Sequence, residues 1–404
     1  MSIVNVKDFG AHADGVHLDT EAIQSAINSA KAGDTVLFED GIFVTGTLEL
    51  KSDITVKIAP DAEICASRNI KDYRDCGFYH IEMKETVSLF YALGCENITF
   101  EGGGKIQLSG DAFVNFDKFL PREIDPATFT LEHEEQTVVS IKKRPTQPIF
   151  FNDCKNITFR NVRIMNSPCW TLVFSNSENV TIDSVYVDNH PRIPNNDGVH
   201  CSASKNITVK NSIFLCGDDC FAATCITNPD RVCENITISD CLMSSRSAAI
   251  RFGHLSGKVR NVTVNNVKIL PSNRAIAIFA ADGGYVKNIE ISNVEAYTST
   301  KSGGWWGKGE GFVICAANST GEISDITIKN CKFTEENASL IVGENWNVSD
   351  VSLYECKFKK TRGNANPYYD GKMDLQPNIP NLVEAPYRKG EVLYVDGVKN
   401  ITVR

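Results

Sequence analysis

The chain has 404 residues, 42% of them hydrophobic and 23% charged, with a formal net charge of −9. This is the balance of an ordinary folded protein; it offers no basic run for nucleic acid and no stretch approaching the ~18 apolar residues that span a bilayer. Met1 leads straight into fold sequence with no charged and apolar leader ahead of it, so the expected location is cytoplasmic, or secreted if a leader was removed.

In chain order, Asp19-Thr20 before Glu21 to Ala32 predicts a capped amphipathic helix. Ile23, Ala26, Ile27 and Ala30 share one face, and Gly33 is the expected stop. A helix there would cover the open end of the first coil.

The coils announce themselves as a repeat. Asn97-Ile98-Thr99-Phe100 returns at Asn156, Asn179, Asn206, Asn235, Asn261 and Asn288, then at Asp325, Asp350 and Asn400. From Asn156 to Asn288 the steps are 23, 27, 29, 26 and 27 residues, a period that marks a solenoid. Each phrase alternates apolar and polar residues, as a strand with one buried face does. A second alternating phrase comes within a few residues, as at Asn161-Val162-Arg163-Ile164 and Asn266-Val267-Lys268-Ile269. Short strands with no helical pattern between them exclude β/α repeats, so the predicted fold is all-β: a right-handed parallel β-helix with an N-terminal capping helix. One domain over 1–404 is expected, with the cap and first coils at about 1–60. Segments near 109–147, 299–311 and 360–390 interrupt the period and read as loops that wall a groove on one side.

Most repeat phrases also read Asn-x-Thr, but a turn asparagine can adopt the left-handed conformation and bond along a ladder, which explains the pattern without glycosylation. Of the fourteen cysteines, several recur at one phase of the repeat beside its apolar positions: Cys95, Cys154, Cys233, Cys241, Cys331 and Cys356. Buried free thiols are the simplest reading, and neither a metal nor another cofactor is expected.

Two phrases break the repeat with acids: Asn195-Asn196-Asp197-Gly198-Val199-His200 and Gly217-Asp218-Asp219-Cys220. Asn-Asp-Gly alone is a turn signal, and Gly-Asp-Asp alone is often a turn or a calcium ligand. Here Asp197 and Asp218 lie 21 residues apart, nearly one coil, and stacked strands are ~4.8 Å apart. Three carboxylates are thereby brought together, and hydrolysis of a glycosidic bond needs an acid and a base of this kind. Like charges so close cannot all ionise cheaply, so one of them should hold a proton.

With these motifs the sequence resembles glycoside hydrolase family 28, the polygalacturonase family. The likeness begins at Val4-Asn5-Val6-Lys7-Asp8-Phe9-Gly10-Ala11 and extends over nearly the whole chain. The family's Asn-Thr-Asp motif is similar to Asn195-Asn196-Asp197, and its Gly-Asp-Asp motif to Gly217-Asp218-Asp219. The resemblance implies that Asp218 is the general acid, that Asp197 and Asp219 position and activate water, and that the anomeric configuration inverts. Two family motifs are replaced. Ser245-Arg246-Ser247 stands where Gly-His-Gly is expected, and His254 falls too late to be that histidine. Ala277 and Phe279 stand on the basic positions of Arg-Ile-Lys, which in the family grips galacturonate carboxylates. The implied catalytic acids are kept while the uronate-reading residues are changed, so a neutral sugar, a differently charged sugar or a short oligosaccharide is expected, with weak action on long polygalacturonate.

Candidate substrate contacts are His200, Arg246, Arg274, Trp305, Trp306 and Lys308, with Arg251, His190 and Arg192 nearby. Lone charges are more often solvated than functional, and the paired tryptophans could equally anchor their loop or stack on a sugar ring. Trp170, one coil before Asp197, could floor the groove or belong to the core. The expected partner is therefore an oligosaccharide or polysaccharide, cleaved by an inverting hydrolase. Two alternatives stand beside it: a β-helix lyase or uronate epimerase with Arg246 as base, and a non-catalytic glycan-binding β-helix, which has no need of three adjacent aspartates.

Overall fold

In the computed structural model, residues 1–81, 83–119, 138–225, 228, 230–300, 307–316, 320–361 and 391–404 are described. They form a parallel β-helix whose coils present three strand faces. Two faces belong to a 22-stranded sheet and the third is an 11-stranded sheet. The first face repeats the sequence phrase in register: Ile157 pairs with Val180, then Ile207, Ile236, Val262, Ile289, Ile326, Val351 and Ile401. On the three rungs between Cys233 and Thr298 the first two faces run together as single long strands, Cys233–Ser245, Lys258–Ser272 and Tyr285–Thr298, and they separate again at Glu322–Lys329 and Lys332–Glu335. The third face runs from Leu48–Glu49 to Leu393–Asp396 and includes Leu172–Ser175, Val199–Ser202, Phe221–Thr224, Ala248–Phe252 and Arg274–Phe279.

Alternation within each strand sends one set of side chains into the coil and the other outward. The inward set forms one continuous apolar column. Aromatic side chains on neighbouring rungs stack within it, Phe100 on Phe159 at 4.6 Å and Phe151 on Phe174 at 5.4 Å. The fourteen cysteines are free thiols, most of them buried, as the repeat phase implied.

The turn asparagines form the expected ladder. Asn97, Asn156, Asn179, Asn206, Asn235, Asn261 and Asn288 all have φ between 56° and 60°. Each donates its amide to the residue one rung back, from Asn97 to Asp53 at 2.7 Å through to Asn288 to Asn261 at 2.8 Å.

The capping helix, α1, spans Thr20–Ser29 and buries Ile23, Ala26 and Ile27 against the first coil. Its ends differ from the sequence expectation. The Asp19 carboxylate accepts from the backbone N–H of His12 and Ala13 instead of from the helix, so it ties the preceding loop and caps nothing. The helix stops at Ala30, and Gly33, at φ 86°, belongs to the next turn of the chain. The centres of all three predicted loop segments lie outside the described residues. The described flanks of the first pair antiparallel, Val114–Phe119 with Val139–Ile141.

Candidate active site

The outer side of the 11-stranded sheet carries the acids. Its outward column reads Val173, His200, Ala222, Arg251, Ala277 on successive rungs. Just ahead of these strands the backbone of Asp197 and Asp219 is stacked: Thr171 N–H donates to Asp197 O at 2.9 Å, and Gly198 N–H to Asp219 O at 2.8 Å. The position held by these two acids continues on later rungs as Ala248, Arg274 and Glu310. Asp197 and Asp219 therefore occupy one position on neighbouring rungs, ~4.8 Å apart along the axis, with Asp218 beside the second.

Glycine makes this stacking possible at two points. A Cβ on Gly198 would lie 2.6 Å from Cys220 O, and one on Gly217 would lie 2.6 Å from Asn196 Oδ1. Asn196 uses the closeness: its Oδ1 accepts from Gly217 N–H at 2.7 Å and its amide donates to His190 O at 2.8 Å. Asn195 sits at φ 59°. Arg144 holds that turn from behind, donating to Pro168 O, Pro194 O and Asn195 Oδ1 at 2.7 to 3.0 Å.

Each acid has a different environment. Asp197 Oδ2 lies 2.9 Å from His200 Nδ1, and His200 Nε2 lies 3.2 Å from Thr224 Oγ1. Trp170 stacks on the imidazole at 3.9 Å. Asp219 is ion-paired, with Arg251 Nε 2.5 Å from its Oδ2, while its Oδ1 accepts from Ala248 N–H at 3.2 Å. Among the described residues Asp218 has no such cation against it. Its Oδ1 accepts from Asp219 N–H at 3.0 Å, and its backbone carbonyl is held by Ser245 Oγ at 2.7 Å. Burial pushes its carboxyl well above the ordinary range, the charges of Asp197 and Asp219 add to this, and Arg251 opposes it only in part. Asp218 is also the most exposed of the three, at 4% against 1% for Asp197 and 0% for Asp219.

The other sequence candidates are distributed unevenly. His200 is at the site but 1% exposed and engaged through both ring nitrogens, so it orients Asp197 and is no open sugar contact. Arg274 corrects the sequence expectation more sharply: it is 1% exposed, lies 3.5 Å from Glu310 and packs over the Phe279 ring, so its charge is spent inside the protein. Arg246 is half-buried on the turn after Ser245. Lys308 is half-buried, with its backbone N–H on Glu310. Trp305 and Trp306 lie outside the described residues. Trp170 combines both roles offered for it, buried among Tyr91, Phe150 and Val173 while flooring His200. Sequence reading missed Arg144, which looks like part of a surface basic run beside Lys142 and Lys143, and Thr224, which carries no motif.

Several known proteins resemble this chain in sequence or in fold. The Rhamnogalacturonase A/epimerase, pectate lyase-like profile matches residues 3–59. Exo-poly-alpha-D-galacturonosidase of Dickeya chrysanthemi is 28% identical over 54% of this chain and 41% of its own length. Polygalacturonase-2 of Solanum lycopersicum is 27% identical over 70% of this chain and 57% of its own. The chain thus spans about half the length of these relatives. The family 28 exopolygalacturonase of Yersinia enterocolitica superposes with a TM-score of 0.72 at 18% identity, over 99% of this chain and 78% of its own, a likeness of fold. The profile of Glycosyl hydrolases family 28 matches residues 44–366, across both acidic motifs, and the chain belongs to that family.

Proposed function

We propose that the protein is an inverting glycoside hydrolase that cleaves O-glycosyl bonds of a pectin-related oligosaccharide or polysaccharide. The observation that carries this reading is the unequal treatment of the adjacent carboxyls: Asp219 is ion-paired with Arg251, whereas Asp218 is buried beside two acids and ion-paired with no cation among the described residues. Such an arrangement separates a proton donor from a base. Family membership and relatives named as polygalacturonases support the substrate class.

In the proposed reaction Asp218 gives its proton to the glycosidic oxygen as the bond to the anomeric carbon breaks. Water, held by the Asp197 and Asp219 carboxylates, attacks that carbon from the opposite face and yields its proton to one of them. The products are a free alcohol and a new reducing end of inverted configuration. Asp218 then recovers a proton from solvent, and the base releases to solvent the one it took from water. His200, braced by Thr224 and Trp170, keeps the Asp197 carboxylate aimed.

Asp218→Asn tests the assignment. The variant is isosteric and should fold normally, with release of reducing ends from pectic oligosaccharides falling by roughly 10³-fold or more. Turnover at the parent rate would remove Asp218 as the acid. Products with an unsaturated, ultraviolet-absorbing sugar would instead assign the protein to the lyases.

A further inference from the structure

Among the described residues, the arginines around the acids are committed to the protein, with one exception. Arg144 binds three backbone and amide oxygens, Arg251 pairs with Asp219, and Arg274 lies against Glu310. The Arg246 backbone N–H bonds Cys216 O at 3.3 Å. Its guanidinium, although half-buried, makes no hydrogen bond or ion pair with any described residue. Burial pushes it down from its ordinary value with no acid pulling the other way. A guanidinium has five donors, and this one spends none of them on a described residue. An arginine kept in that condition is arranged for an acceptor that arrives from outside.

Its place says what that acceptor is near. Arg246 comes directly after Ser245, whose hydroxyl holds the Asp218 carbonyl, so its turn sits one rung beyond Gly217-Asp218. Its charge also reaches His190, on the rung before, whose imidazole is pushed down by burial, by Arg192 and by Arg246, with Asp111 opposing. The turn between them is Gly217, which has no side chain to intervene. Arg246 therefore stands on the turn one rung beyond the proton donor.

Resting on the hydrolase reading, we propose that Arg246 is a specificity-determining residue that grips the free carboxylate of an acidic sugar unit bound next to Asp218. Two parallel N–H···O bonds suit a planar carboxylate, and a methyl ester can offer neither the charge nor both oxygens. Ala277 and Phe279, which bring no basic group, lie on the rung beyond Ala248–Phe252 and further along their strand than Arg274, and both are 0% exposed. The anion is thus read from the turn side of the acids instead of from the sheet.

The test uses the full chain with trigalacturonate and its fully methyl-esterified counterpart, comparing kcat/KM. The parent should favour the free acid, and Arg246→Ala should reduce that acid-to-ester ratio by roughly 10- to 100-fold, with Arg246→Lys in between. A parent indifferent to esterification would overturn the proposal. So would an Arg246→Ala ratio equal to the parent's, whether or not both rates fall together. Calorimetric binding of the same two ligands to Asp218→Asn measures the ratio without turnover. Failure of hydrolysis alone would therefore strike the reaction assignment, and failure of the binding ratio would strike Arg246.

Discussion

Arg251 Nε stands 2.5 Å from Asp219 Oδ2, and the two residues are 7% and 0% exposed. A buried charge that loses its partner is penalised heavily, so this cation matters to the acids far more than a surface pair would. Arg251→Met should lower kcat by roughly 10²-fold, the order expected when a general base is misplaced. It should also move the alkaline limb of the pH–rate profile upward. Asp218 works only while protonated, and Arg251 is a cation that favours its ionised form. Without it Asp218 keeps its proton to higher pH. A limb that stayed in place or moved down would show that Arg251 does not hold down the Asp218 carboxyl. The three aspartates were legible because two short motifs fell nearly one coil apart. Arg251 was visible only as one of several loose charges, since its partner lies 32 residues away and no local pattern records a contact across rungs.

Within the stacked turns, the asparagine ladder can be separated into its two contributions. Asn206 has φ 59°, donates to Asn179 and accepts from Asn235, at 2.9 and 3.0 Å. Asn206→Ala removes both bonds and places a strained residue in the left-handed region, with an expected loss of about 2–3 kcal/mol. Asn206→Gly removes only the bonds, because glycine adopts that conformation freely, and should cost about half as much. Denaturant unfolding of the two variants would measure the difference, and equal losses would show that the backbone conformation contributes little. This element was almost fully readable from sequence, because the same phrase recurs and every copy obeys the same local rule. The helix ends were not. Asp19-Thr20 has the composition of a cap, yet its carboxylate is recruited by a loop seven residues earlier, a tertiary choice that composition does not encode.

Far along the coil from the acids, a further carboxyl is buried at the end of the strand Lys332–Glu335, in the 22-stranded sheet. Glu335 is 0% exposed; one oxygen accepts from Ser339 Oγ at 2.7 Å and Gly311 N–H at 3.1 Å, while the other has no hydrogen-bond partner among the described residues. Burial raises its pKa from an ordinary 4.5 to about 8. Below the lower value both folded and unfolded chains carry the proton; between the two only the folded chain keeps it, so stability falls as pH rises through that window. Glu335→Gln should abolish this decline and exceed the parent in stability at pH 9 by on the order of a few kcal/mol, with little gain at pH 4. Thermal unfolding across that range measures it, and parallel curves for the two proteins would refute it.

The asparagine ladder carries a practical corollary for heterologous production. Six of its rungs between Asn97 and Asn261 spell an oligosaccharyltransferase acceptor, and in each the side-chain nitrogen that enzyme would modify already donates to the adjacent rung. A glycan attached before the coils close would take one of that nitrogen's two hydrogens and put bulk along a seam where the turns are in contact. Yeast or insect secretion would therefore set sugar attachment against coil closure at six sites, a conflict that a bacterial cytosol does not impose.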